Sequence, residues 1–143
     1  MKIALIACSK TKQGADELTK KFRADELYLG NSFKKAKNEG VKMYNCDDYF
    51  IISAKHHLIE KDAMITYYDK TLNNMKESEK REWSKIVLEQ LKERFNLEND
   101  EFYIFGGGNY YKYLFPHLNC TVFKYRNSNT VLLNEIKAVN RLK

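Results

Sequence analysis

The chain has 143 residues and a formal net charge of +6, enough length to bury a real core without disulfide or metal support and the usual size of a single domain. Its first apolar run, Ile3 to Ala7, is too short to span a bilayer and lacks the order of a secretion signal, so the cytoplasm is the expected compartment and no membrane partner is expected. Cys8, Cys46 and Cys120 are too widely spaced for a zinc site or a secreted disulfide framework and read as reduced thiols.

The positive charge favours phosphate-bearing partners. Lysine supplies nearly all of it, however, with arginine only at Arg23, Arg81, Arg94, Arg126 and Arg141, whereas bidentate phosphate and base recognition favours arginine. A chain rich in Lys, Asn, Ile and Tyr, with Pro116 as its lone proline, reads as coding bias ahead of dedicated polyanion binding.

In chain order, Ile3 to Ala7 is a continuous apolar run that stops at polar residues, the pattern of a strand buried on both faces. After a polar loop through Gly14 and Lys20, the stretch Ala24 to Lys37 carries Leu29, Phe33 and Ala36 at helical spacing, with a break near Gly30 and a stop at Gly40. Tyr49 to Ser53 follows the turn formers Asn45, Asp47 and Asp48 and reads as a second strand. A long connection through Tyr67, Tyr68 and Asp69 leads to Ser78, expected as a helix cap, and to Trp83, Val87, Leu91 and Phe95 on one helical face. Phe102 to Phe105 is a third strand, followed by Gly106-Gly107-Gly108 and a helix from Asn109 towards Leu114. Cys120 to Tyr125 alternates as an edge strand should, and a last helix begins near Ser128 and Asn129, burying Leu132, Ile136 and Val139.

This alternation predicts an α/β fold, a three-layer α/β/α sandwich on a mainly parallel sheet of about four strands, glycosylase-like or Rossmann-like. Ligands in such folds bind beyond the carboxyl ends of the strands, and three of the four predicted strands end in chemistry. The first ends in Cys8-Ser9-Lys10-Thr11-Lys12. There Lys10 or Cys8 could act as a nucleophile if neighbouring cations lower its pKa; Cys8 reads first as a small buried residue, which moves the interest to Ser9 and Lys10. The second ends in Ser53-Ala54-Lys55-His56-His57, suited to acid-base work or anion holding, with at most one of the adjacent histidines facing a site and too few ligands for a metal. The third ends in Gly106, Gly107 and Gly108, which let backbone approach a phosphate or base, with Tyr110 beside them for stacking. The turn lacks the dinucleotide and Walker fingerprints, and no cofactor is expected.

The segments Ile6 to Lys12, Ala24 to Phe33, Ile52 to Ile59 and Ile65 to Leu72 resemble an uncharacterised bacterial and phage family, itself distantly similar to the YaaA family of peroxide-stress proteins. The first-strand cluster is also similar to the Cys-Ser-x-x-Lys segment of the archaeosine synthase catalytic domain, which implies kinship with glycosylase-like folds and a lysine acting on a modified base. Carried over by position, the resemblance implies roles for Ser9, Lys10, Tyr28, Gly30, Ser53, Lys55, Tyr68 and Asp69. His56 and His57 depart from it, standing where those relatives carry an aromatic residue and glycine.

The resulting expectation is an enzyme acting on a nucleobase, nucleoside or nucleic acid, at an N-glycosidic bond or on the base. Ser9 or Lys10 would be nucleophile or anion holder, Lys55 with a histidine would assist, and Asp69 would orient a ribose hydroxyl or act as a base. Cys8, Tyr28, Gly30, Ser53, His56, Tyr68, Gly106, Gly107, Gly108 and Tyr110 complete the expected ligand site. The alternatives are a non-catalytic DNA- or RNA-binding stress or phage-associated protein, recognisable by salt-dependent binding, and a nucleotide sensor stabilised by its ligand without turnover.

Overall fold

The computed structural model describes residues 1–124 and 134–138. Alternate residues of the first strand, β1 (Lys2–Ala7), serve two different cores: Ile3, Leu5 and Ala7 face one and Ala4 and Ile6 the other. That division is the period-two geometry of a strand sandwiched between two layers.

β1 pairs in parallel with β3 (Asp48–Ser53) on one side and with β6 (Glu101–Phe105) on the other. β7 (Cys120–Lys124) continues the parallel array beyond β6. β4 (His57–Glu60) and β8 (Asn134–Ala138) run antiparallel at the two edges, giving a six-stranded sheet in the order β4-β3-β1-β6-β7-β8. A separate antiparallel pair, β2 (Lys21–Arg23) with β5 (Met64–Thr66), ties the loop after β1 to the loop after β4.

One face of the sheet is covered by α1 (Ala24–Leu27) and by α2 (Asn31–Lys35), which runs through a π turn at Ala36–Gly40 into α3 (Val41–Met43). The other is covered by α4 (Glu77–Arg94) and the short α5 (Gly108–Tyr111). The three-layer α/β arrangement is therefore as expected. Among the described residues no helix is long and apolar enough to cross a membrane.

Several local expectations are corrected. The sheet has six strands rather than about four, because the chain adds an antiparallel edge on each side. Ser53 is followed by a tight turn whose exit residue, His57, has φ 63°, and the chain returns as β4 instead of leaving the sheet. The outer side of β4 is occupied by the Gln90 side chain, whose Oε1 accepts the Leu58 N–H at 2.9 Å; covering an edge in this way blocks further strand pairing.

At the other side, Ile136 lies in a strand and not in a helix. A spacing of four residues fits either conformation in a short segment, and the unpaired backbone of β7 decides for the strand. β7 is consequently an interior strand. Ser128, Asn129, Leu132 and Val139 of the expected last helix lie outside the described residues, as does Tyr125.

Gly40 does not stop its helix. It sits in helical conformation where a Cβ would come within 2.6 Å of the Phe105 ring, and the chain turns only at Asn45, whose φ is 54°. The cap of α4 is also two residues earlier than Ser78: the residue before the helix is Lys76, and its N–H donates to the Glu79 carboxylate at 2.9 Å, so the acid supplies the terminal acceptor that the serine was expected to provide.

Candidate functional site

The chain leaves β1 towards the α1–α3 face and leaves β6 towards the α4–α5 face. Two neighbouring parallel strands whose connections diverge to opposite faces open a crevice at their carboxyl ends. A cavity of about 290 Å³ lies there, walled by Cys8 and Ser9 after β1, by Ser32 and Phe33 of α2, by Asn73, and by Phe105, Gly106, Gly107 and Tyr110 after β6.

Within it the Cys8 sulfur lies 3.4 Å from the Tyr110 hydroxyl, and that hydroxyl also accepts the Leu72 N–H at 3.4 Å. Asn73 Oδ1 accepts a bond from Asn109 Nδ2 at 2.6 Å, which leaves the Asn73 amide nitrogen for a ligand. Ser9 is held in a different way. Its Oγ donates to the Thr11 carbonyl at 2.8 Å and accepts the Gly30 N–H at 3.2 Å. A Cβ on Gly30 would stand 2.7 Å from that of Ser9, so the glycine permits the close approach of the two loops. Ser9 thus joins the walls of the cavity while its hydroxyl ties one loop to the other.

Behind Cys8 lies a second cluster, buried against the α1–α3 face. Residues 11–13 run alongside 27–29, with an antiparallel bridge between Lys12 and Tyr28 and flanking backbone bonds from Leu29 to Thr11 and from Gln13 to Leu27, each 2.8 Å. Opposite residues of a bridge project to the same side, and this pairing turns Lys12 inward. Lys12 is only 8% exposed. Its Nζ donates to the Lys10 carbonyl at 3.2 Å and lies 4.5 Å from the ring centre of Tyr68 and 5.9 Å from that of Tyr28. Burial pushes the Lys12 pKa down, partly opposed by the negative charge available at Cys8 and Asp69.

Beneath this amine runs a chain of hydroxyls. Ser53 Oγ is 2.7 Å from Tyr68 OH, which is 2.6 Å from Tyr28 OH. Ser53 Oγ already accepts the N–H groups of Lys55 and His56 at 3.2 and 3.0 Å, so both its lone pairs are engaged and its own proton goes to Tyr68. Tyr68 must then donate to Tyr28. Burial above all, with the Cys8 charge second, raises the pKa of both tyrosines well beyond the ordinary phenol range, which keeps the chain protonated. The same strand end is pinned from the other face, where the Trp83 indole donates to the Ser53 carbonyl at 2.8 Å.

The two histidines part to opposite faces. His56 meets Tyr68 edge-on at 5.4 Å between ring centres, and its Nε2 is buried without a hydrogen-bond partner among the described residues. Burial first, then the Lys55 charge, lowers its pKa, so the imidazole is neutral near pH 7. His57 stacks on Trp83 at 6.5 Å. Lys10, Lys55 and Asp69 are exposed, with Lys55 Nζ 5.9 Å from the Tyr68 ring centre. Gly107 and Gly108 are exposed at the mouth of the crevice.

Of the residues singled out from the sequence, the fold gathers Cys8, Ser9, Gly106, Gly107 and Tyr110 around the crevice and Tyr28, Ser53, His56 and Tyr68 in the cluster behind it. It leaves Lys10 in solvent and turns Lys12 inward in its stead. Ser32, Phe33 and Asn73 were missed. Phe33 carried a helical-core signal that hid its second role, and nothing local marked Asn73.

The fold and the crevice define a doubly wound α/β protein with a cavity at the switch point between β1 and β6. The model of a family of unknown function, DUF6884, matches residues 3–134, and the chain belongs to that family. No curated protein and no solved structure matches it.

Proposed function

We propose that the protein is a nucleobase- or nucleoside-directed enzyme acting at an N-glycosidic bond or on the base itself. The observation that carries this reading is the switch-point crevice with a buried lysine behind it. At 290 Å³ the cavity is at the small end of ligand sites, which start near about 300 Å³, and suits a base or nucleoside better than a dinucleotide. Its walls are of the matching kind: aromatic rings of Phe33 and Phe105, amide nitrogen of Asn73, hydroxyls of Ser32 and Tyr110, and no carboxylate among the lining residues.

Lys12 takes the role that the first-strand cluster suggested for Lys10. A lysine whose pKa is lowered by burial holds more of its amine neutral near pH 7, the form that attacks a carbon electrophile. At an anomeric carbon, attack would form a carbon–nitrogen bond to Lys12 while the bond to the base breaks, the departing base taking up a proton. Ser53, Tyr68 and Tyr28 fix the floor on which the amine rests, and neutral His56, edge-on to Tyr68, is a group suited to proton transfer. A tie to the YaaA or archaeosine synthase families is part of the same proposal, since the cluster Cys8 to Lys12 has the spacing of the latter's Cys-Ser-x-x-Lys segment.

The test is a thermal-shift screen against bases, nucleosides, nucleotides and short oligonucleotides, followed by chromatography of products and borohydride trapping of any lysine adduct. The expected result is stabilisation by a base-containing ligand that Asn73→Ala diminishes, and turnover that Lys12→Met abolishes with folding intact. Failure of every base-containing ligand to stabilise the protein would remove the reading. Full turnover in Lys12→Met would remove the amine from the mechanism and leave the binding assignment standing.

A further inference from the structure

On α4, Trp83, Val87 and Leu91 face the core. One step around the helix a second stripe, Arg81, Ser84, Lys85, Leu88 and Lys92, forms one wall of a groove of about 380 Å³. The opposite wall is Leu97 and the segment from Tyr113 to His117. The groove is separate from the switch-point crevice, with which it shares no lining residue.

Three features point to its occupant. The first is unpaired positive charge in a line. Lys80 and Arg94 on the same helix are paired with Glu77 and Glu60, but among the described residues no carboxylate lies within ion-pair distance of Arg81, Lys85 or Lys92. Glu89 is the single acid in the lining, which leaves an excess of two positive charges. From Arg81 to Lys92 the line extends about 16 Å at 1.5 Å per residue, longer than one phosphate group needs and suited to a run of them.

The second feature is Ser84. It is 1% exposed, it lines the groove, and its Oγ has no hydrogen-bond partner among the described residues. A buried hydroxyl without a partner is uncommon, and this one belongs to the groove wall between Arg81 and Lys85, where rotation about χ1 would offer it to a phosphate oxygen. The third is the groove's apolar side: Leu88, Leu97, Pro116 and the ring of Tyr113, over which Arg81 lies at 4.8 Å. A cationic line beside an apolar and aromatic wall is the arrangement that follows a single-stranded backbone while its bases rest on the protein.

We propose that this groove binds a single-stranded nucleic acid, its phosphates along Arg81, Ser84, Lys85 and Lys92 and a base against Tyr113 and Pro116. The assignment goes beyond the crevice and does not depend on it, because strand capture is measured without turnover. If both sites act together, the substrate is a base within a polynucleotide and not a free nucleoside.

The test is fluorescence anisotropy of labelled oligothymidylate and oligouridylate over a series of salt concentrations. Wild type is compared with the Lys85→Ala/Lys92→Ala double variant, whose exposed positions spare the core, and with Ser84→Ala. Each lost phosphate contact on a single strand removes about 0.7 from the slope of log affinity against log salt. The double variant is therefore expected to lower the slope by about 1.4 and to weaken low-salt binding about tenfold or more. Ser84→Ala is expected to weaken binding with the slope unchanged and the melting temperature not lowered, as its hydroxyl has no partner to lose. Absence of binding at low salt, an unchanged slope in the double variant, or equal competition by polyglutamate would each overturn the proposal. Nucleoside-induced stabilisation at the crevice is expected to be the same in all these variants, so the two sites fail or stand separately.

Discussion

Replacing Tyr68 by phenylalanine tests the hydroxyl chain under Lys12, because the chain has a fixed direction. Ser53 accepts two backbone N–H groups and must donate to Tyr68, which must donate to Tyr28. Tyr68→Phe therefore breaks two bonds, of 2.7 and 2.6 Å, and strands the Ser53 proton and the Tyr28 oxygen in the interior. A net hydrogen bond is worth about 1 kcal/mol and an orphaned buried group costs about 1–3 kcal/mol, so the variant should lose about 2–4 kcal/mol. For a chain of this size that is a fall in Tm of about 8–14 °C. Tyr28→Phe removes only the end of the chain and should cost about 1–2 kcal/mol. The assay is urea and thermal unfolding of both single variants and the double variant. Because the two hydroxyls share one bond, the double variant should cost no more than Tyr68→Phe alone, a coupling equal to the Tyr28→Phe cost of about 1–2 kcal/mol. Additive losses, or a larger loss in Tyr28→Phe than in Tyr68→Phe, would refute the assigned direction.

Two further outcomes follow from the same geometry. Gly30→Ala places a Cβ 2.7 Å from that of Ser9, whereas Gly107 has nothing within 4 Å; overpacking of this kind costs about 1–3 kcal/mol, so circular-dichroism melts should show Gly30→Ala clearly destabilised and Gly107→Ala close to wild type. The pH profile of stability should fall at both ends. Glu77 is held down to about 2, first by the Tyr113 hydroxyl and then by Lys80. Its contribution is complete above its unfolded pKa of about 4.3 and is lost as the pH falls through the folded value. At the alkaline end the unfolded chain ionises its tyrosines near about pH 10 while Tyr28 and Tyr68 stay protonated, so stability declines above that pH. Acid and base titrations of Tm check both limbs, and Glu77→Gln should flatten the acid one.

Much of the fold was legible from local pattern. The apolar runs at Ile3 to Ala7, Tyr49 to Ser53 and Phe102 to Phe105 could be buried only between two layers, and the face of Trp83, Val87 and Leu91 required a helix covering a sheet. From alternating strands and helices came the parallel core, and from the parallel core the expectation that strand ends would converge. The break at Gly30 was visible too. What pattern could not settle was pairing. His57 to Glu60 and Asn134 to Ala138 are short segments without a decisive period, and they became strands because open sheet edges were there to receive them.

The same division runs through the candidate site. The sequence determined which polar residues follow β1, β3 and β6, because a strand ends where its apolar run ends. Lys10 and Lys12, however, have the same parity and the same chemistry, and no local signal separates them. Only the bridge between Lys12 and Tyr28, formed by segments sixteen residues apart in number, buries one amine and leaves the other in water. Asn73 likewise reaches the crevice only because the loop before α4 is carried over the end of the sheet, where Asn109 meets it. Charge and burial at a site depend on neighbours brought from distant parts of the chain, and that neighbourhood exists only once the tertiary structure has formed.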